Sequence, residues 1–97
     1  MTASAEIDLA MRDVISGHLG DLRVVSVDIR SDMDAEGDPI LRIRVVYDPA
    51  SGKFDPDRAS DVLRRLLSRL DELGEQSFPL VSFVTESDAR NLNSEAA

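Results

Sequence analysis

The chain has 97 residues, no cysteine and a formal net charge of −8 at neutral pH. Such a length fits one domain with a modest core, and the lack of cysteine excludes disulfides, thiolate metal sites and thiol catalysis. The negative charge disfavours nucleic acid and anionic membranes as partners, and without a membrane-length apolar run or a signal-peptide pattern we expect a cytoplasmic protein.

The first predicted element is an amphipathic helix over Ser4–Gly17, with Ser4 as its N-cap. Its apolar side recurs at helical spacing through Ile7, Met11, Val14, Ile15 and His18. Leu22–Arg30 and Ile40–Asp48 then alternate as half-buried strands do, and the polar loop Ser31–Pro39 joins them. The pattern predicts an antiparallel hairpin.

The register of this hairpin follows from the position of its loop. If the loop is centred, Val25 lies opposite Val45, and Asp28 faces Arg42 as an attractive cross-strand pair. In this interpretation Val25, Val27 and Ile29 share the buried face.

A second amphipathic helix is predicted over Asp55–Leu73. Asp55 is a good N-cap, Pro56 suits the first helical position, and Gly74 can take the left-handed conformation that ends a helix. Its apolar stripe comprises Ala59, Val62, Leu63, Leu66, Leu67, Leu70 and Leu73.

The rest of the chain supplies one more strand. Phe78–Val84 is predicted as a third strand with Pro79 near its start, and Ser87–Leu92 as one helical turn. We expect residues 1–92 to form a single domain and residues 93–97 to be a frayed C-terminal tail.

The predicted order is therefore α-β-β-α-β, an α+β fold with two helices packed on one face of a three-stranded mixed sheet. This order resembles that of BolA proteins and of type II KH domains. The BolA role rests on histidines near the second strand and helix, whereas this chain has no histidine after His18. Gly17-His18-Leu19-Gly20 matches the spacing of a KH GxxG loop but leads into a strand, which is typical of a helix C-cap. The resemblance therefore implies a fold and no function.

Five arginines are candidate partner-binding residues. Arg30, Arg42 and Arg44 lie on the open face of the predicted sheet, and Arg64 and Arg65 lie on the polar side of the central helix. The alternative interpretation, which we prefer, is ion pairing within the chain, with Asp28 and Asp61 as partners.

The hairpin loop carries four alternating carboxylates: Asp32, Asp34, Glu36 and Asp38. Hard oxygen ligands so close together suit calcium or magnesium, although the EF-hand pattern is incomplete because Ile43 stands where its final Glu belongs. The alternative is a solvated loop that discourages edge pairing.

No catalytic constellation is visible, so we expect no enzymatic activity and no cofactor. The leading hypothesis is a small acidic protein-interaction module, one version being an accessory or antitoxin-like protein that covers a basic protein such as a ribonuclease. The alternatives are nucleic-acid binding through the arginine-bearing face and metal binding at the acidic loop. A homodimer through a sheet edge or the open face is compatible with the same order of elements.

Overall fold

The computed structural model describes residues 4–20 and 22–96, with side-chain environments up to residue 91. Its elements are α1 (Ala5–His18), β1 (Arg23–Met33), β2 (Pro39–Asp48), α2 (Pro56–Glu72), β3 (Phe78–Thr85) and α3 (Glu86–Ala96). The predicted α+β class is confirmed, and the order is α-β-β-α-β-α. No helix of the described ranges combines the length and apolar character needed to cross a membrane.

Both long helices begin at the predicted N-caps, and α2 also ends at the predicted Gly74, whereas α1 continues past the predicted Gly17 to His18. The Ser4 hydroxyl accepts a hydrogen bond from the Ile7 N–H at the start of α1 (3.3 Å), and the Asp55 carboxylate accepts one from the Asp57 N–H at the start of α2 (2.9 Å). Leu73 is the C-cap of α2, and Gly74 follows with φ +71°, the left-handed conformation that glycine adopts without steric cost.

The three strands form one mixed sheet in the order β1-β2-β3. β1 and β2 are antiparallel, while β2 and β3 are parallel because α2 carries the chain back across the sheet between them. Both relationships were predicted from the order of elements.

The predicted hairpin register is wrong by two residues. Asp28 pairs with Arg44 and Arg30 with Arg42, whereas a centred loop would place Asp28 opposite Arg42. The cause lies in the turn, where the Asp34 carboxylate accepts hydrogen bonds from the N–H groups of Glu36 (3.0 Å) and Asp38 (2.9 Å). These bonds centre the turn on Glu36, one residue after the centre of the predicted loop, and a shift of one residue in the turn moves the strand pairing by two.

A β-bulge also changes the direction of two valines. Val24 pairs with Tyr47 and Ser26 pairs with Val46, which leaves Val25 as an extra residue of β1. Val24 therefore packs against the core, and Val25 is 39% exposed instead of sharing the buried face with Ile29.

The hydrophobic core lies between the two long helices and one face of the sheet. Its fully or nearly fully buried members include Met11, Ile15, Ile29, Leu41, Ile43, Val45, Val62, Leu66 and Leu70. Burying each large aliphatic side chain contributes roughly 1.5–3 kcal/mol as an upper estimate.

Helix α3 is longer than the single turn predicted at Ser87–Leu92. It begins at Glu86 and runs to Ala96, and the Thr85 hydroxyl accepts a hydrogen bond from the Asp88 N–H (3.2 Å) in place of a Ser87 cap. Glu86 and Asp88 place negative charge at its N-terminal end, and buried Ala89 packs it on the sheet.

Candidate functional site

The sheet has a second face, opposite α1 and α2, which we call the open face. Strand alternation and the two registers place on it Ser26, Asp28, Arg30 and Asp32 from β1, Ile40, Arg42, Arg44 and Val46 from β2, and Phe78, Leu80, Ser82 and Val84 from β3. The prediction that Arg30, Arg42 and Arg44 share this face is consistent with the register.

Helix α3 covers one end of the open face. Val46 of β2 and Ala89 of α3 are both buried where the helix meets the sheet. A hollow of about 240 Å³ lies between α3 and the strands, and its lining includes Arg44, Glu86 and Arg90. The rest of the open face is left uncovered by the described residues.

The uncovered part contains a groove of about 440 Å³. Its polar lining comes from Asp28, Arg30, Arg42, Arg44 and Ser82, and its apolar side chain is Leu80; Ile43 and Val81 also line it, although their side chains alternate toward the core. The groove therefore offers positive charge, hydrogen-bonding groups and an apolar wall within one surface.

Two of the three arginines in this groove are paired within the chain. Arg30 Nε lies 3.2 Å from Asp28 Oδ2, and Arg42 Nε lies 2.7 Å from Asp32 Oδ2. The hydrogen bond from Arg42, together with one from the Met33 N–H, lowers the pKa of the Asp32 carboxyl below its usual value. Arg30 thus pairs with Asp28, a partner named by the ion-pairing interpretation, whereas Arg42 pairs with Asp32, which that interpretation did not name.

Arg44 differs from its neighbours. It is half-buried at the centre of the open face and lines both the groove and the hollow under α3. Among residues 4–20 and 22–91, no carboxylate lies within 4.0 Å of its guanidinium, because Asp28 opposite it pairs with Arg30 instead. Arg44 is therefore a cation available to an external anion.

An apolar strip borders the arginines along β3. Leu80 is 44% exposed and Phe78 is 51% exposed, and Phe78 lies beside Ile40, which is buried. Leu80, Phe78 and Ser82 are absent from the site predicted from the sequence, because that prediction gives the third strand no open-face side chains. Pro79, Val81 and Phe83 alternate toward the core, and this alternation is the signal that could have placed them.

Arg64 and Arg65 lie elsewhere. They are exposed on α2, which packs on the other face of the sheet, and both lie near Asp61, with Arg65 Nε 2.9 Å and Arg64 Nη2 3.6 Å from its carboxylate. The Arg65 hydrogen bond is the main cause that lowers the pKa of Asp61. The structure thus separates the five predicted arginines into two surfaces on opposite sides of the molecule.

The predicted acidic set is also divided. The carboxylates of Asp34, Glu36 and Asp38 lie within 4.8 Å of one another in the exposed turn, whereas Asp32 pairs with Arg42 on the open face. Three of the four residues could therefore approach one cation. The carboxylate of Asp34 already accepts the two backbone hydrogen bonds that shape the turn.

The segment resembling a KH GxxG loop is part of a helix end. Gly17 and His18 lie in α1, Leu19 is the C-cap, and Gly20 has φ +64° before β1 begins at Arg23. No protein-family model, curated protein or solved structure matches the chain. The resemblance to BolA and type II KH proteins therefore remains one of element order.

Proposed function

We propose that this protein is a non-enzymatic interaction module that binds a segment of another protein in the groove on the open face. The observation that carries the proposal is Arg44, a half-buried arginine without a carboxylate partner among residues 4–20 and 22–91. A guanidinium that is partly removed from water forms strong paired hydrogen bonds with a carboxylate. A partner's Asp or Glu side chain would supply that carboxylate.

The groove also indicates what surrounds the partner's acidic side chain. Leu80 and Phe78 present apolar surface beside the arginines, and interface centres combine such apolar contact with a few directed polar groups. The segment that fits best therefore carries an acidic residue flanked by apolar residues.

Nucleic acid fits the same surface less well. Phosphate contacts need unopposed positive charge, but Asp28 and Asp32 neutralise two of the three arginines on the open face. The hairpin turn beyond Asp32 adds three more carboxylates, and the whole chain carries −8. This net charge favours a partner that is basic overall, so the acidic residue that binds Arg44 is a local contact within such a partner, and the accessory or antitoxin-like role is one form of the proposal.

The test is affinity capture from the source organism's lysate, with and without nuclease. We expect the wild type to retain a protein in stoichiometric amount after nuclease treatment, and Arg44→Glu to weaken its binding by roughly 30-fold or more, as loss of a hydrogen-bonded charge pair does at interfaces. Arg65→Glu is the matched control, since it makes the same charge change on the opposite side of the molecule.

Two results would overturn the proposal. Equal recovery by wild type and Arg44→Glu would show that the open face does not make the contact. Recovery that disappears with nuclease would favour the nucleic-acid alternative instead.

A further inference from the structure

The two outer strands of the sheet differ in how well their free edges are protected. β1 has the bulge at Val25 and carries Arg23, Asp28, Arg30 and Asp32 along its length. Bulges and charged side chains are the devices by which natural edge strands avoid pairing with other chains. The β1 edge therefore resists the addition of a strand.

β3 lacks these devices. Its eight residues, Phe78–Thr85, include no charged side chain, although 31% of the whole chain is charged, and its ladder with β2 is regular from end to end. Pro79 removes at most one N–H donor from the outer edge, because it is a single residue near the start of the strand. The outer edge of β3 has no neighbouring strand in the described ranges.

The side chains of β3 are also incompletely covered on both faces of the sheet. On the open face Phe78 and Leu80 are exposed, and on the core face Val81 and Phe83 are only half-buried although they pack against the core. An apolar strand that is exposed on one face, only half-buried on the other and free along one edge is typical of a surface that another strand covers.

We propose that β3 pairs antiparallel with β3 of a second copy of this chain, which joins the two sheets into one of six strands. A second copy fits because the strand is uncharged: pairing β3 with itself brings no like charges opposite each other. With the twofold axis at Val81, Phe78 of one copy lies opposite Val84 of the other, and Leu80 lies opposite Ser82. Each exposed apolar side chain on the open face then gains a cross-strand neighbour.

The pairing has a consequence for the open face. A twofold axis perpendicular to the sheet keeps equivalent faces on the same side, so the two grooves containing Arg44 would lie side by side on one surface of the dimer. Leu80 and Phe78 border the groove and also lie on the proposed dimer edge, whereas Arg44 is on the central strand, so Arg44→Glu tests the groove without altering the β3 edge.

The experiment is sedimentation equilibrium of the full chain over a range of concentrations. We expect the wild type to reach twice the monomer mass of 10.6 kDa. Leu80→Lys should raise the dimer dissociation constant tenfold or more, because it places a charge in the new ladder. Val25→Lys is the matched control: it makes the same kind of change at a comparably exposed position on the opposite edge and should leave the dimer intact.

A second variant and a hydrogen-exchange measurement complete the test of the dimer. Phe78→Lys repeats it at a second exposed position, in case Leu80→Lys does not fold by circular dichroism. Hydrogen exchange should show protection of β3 amides that rises with concentration, with no such rise in β1. A wild type that is monomeric at all concentrations would overturn the proposal. So would a dimer that Val25→Lys or Arg44→Glu dissociates, since its interface would then be the β1 edge or the open face.

Discussion

Asp28 lies directly opposite Arg44 in the β1–β2 ladder, but its carboxylate accepts a hydrogen bond from Arg30 on its own strand, at 3.2 Å. The cross-strand pair that the alignment offers is therefore not formed, and Arg44 is left without a carboxylate partner among residues 4–20 and 22–91. Binding of the Arg44 guanidinium by the proposed partner would therefore break no ion pair among the described residues.

The first prediction concerns the stability of Arg44→Gln. Since Arg44 forms no ion pair with the described side chains, we expect the free energy of unfolding to change by less than about 1 kcal/mol. Urea denaturation followed by circular dichroism measures this change. A larger loss would show that Arg44 supports the fold, and the binding defect of Arg44→Glu would then need a structural explanation.

The second prediction uses neighbouring leucines of α2. Leu66 is fully buried, whereas Leu67 is 40% exposed, so their truncation separates core packing from helix propensity. We expect Leu66→Ala to lower the free energy of unfolding by about 2–5 kcal/mol and Leu67→Ala by less than about 1 kcal/mol. Urea midpoints at a common m-value give both numbers. Equal losses would contradict the packing of this helix.

The third prediction compares two glycines near the end of α1. Gly20 has φ +64°, and a Cβ there would lie 2.9 Å from the Arg58 guanidinium, whereas nothing lies within 4 Å of a Cβ at Gly17 inside the helix. We expect Gly20→Ala to destabilise the protein by about 1–2 kcal/mol and Gly17→Ala to stabilise it by about 0.5–1 kcal/mol. Thermal unfolding of the two variants should therefore shift in opposite directions.

The helix ends were predictable because their signals are local. Ser4, Asp55 and Gly74 cap the helices through contacts within a few residues, and apolar residues at helical spacing identify the buried sides. The antiparallel and parallel strand relationships likewise follow from the order of elements and the length of the connection through α2.

The register and the composition of the site were less predictable, because apolar alternation does not fix the position of a turn or a bulge, and because the alignment of β3 depends on residues far apart in the chain. The hydrogen bonds of Asp34 fix the position of the turn, and the bulge at Val25 exchanges the faces on which Val24 and Val25 lie. The alternation of apolar and polar residues reveals neither feature. Leu80 joins the groove only because β3 aligns with Arg42 of β2, a pairing between residues far apart in the chain. Alternation along β1 and β2 placed Arg30, Arg42 and Arg44 on one face, but it did not reveal that Arg42 pairs with Asp32.

The fourth prediction is a pH dependence at Asp32. Its folded pKa is lowered, chiefly by the Arg42 hydrogen bond, so the interaction stabilises the fold above the ordinary Asp pKa of about 3.9 and is lost as the pH falls through the lowered value. We expect Asp32→Asn to be less stable than wild type at neutral pH, with the difference closing in acid below about pH 3.9.

Urea denaturation of both proteins at neutral and acidic pH measures this difference. Glu36→Gln is the control, because the Glu36 carboxylate forms no hydrogen bond or ion pair with the other described side chains. A deficit of Asp32→Asn that persists unchanged in acid would show that the carboxylate charge is not its cause.

The fifth prediction separates the structural role of the acidic turn from metal binding. Asp34 accepts two backbone hydrogen bonds, whereas the Glu36 carboxylate accepts none from the described residues. With a chelator present, we expect Asp34→Ala to lower the free energy of unfolding by about 1 kcal/mol and Glu36→Ala to leave it nearly unchanged.

Thermal unfolding with added calcium then tests the metal hypothesis through Glu36→Ala. A calcium-dependent rise in wild-type Tm that this variant lacks would support a site formed with Asp34 and Asp38, whereas identical curves would leave the turn a purely structural feature.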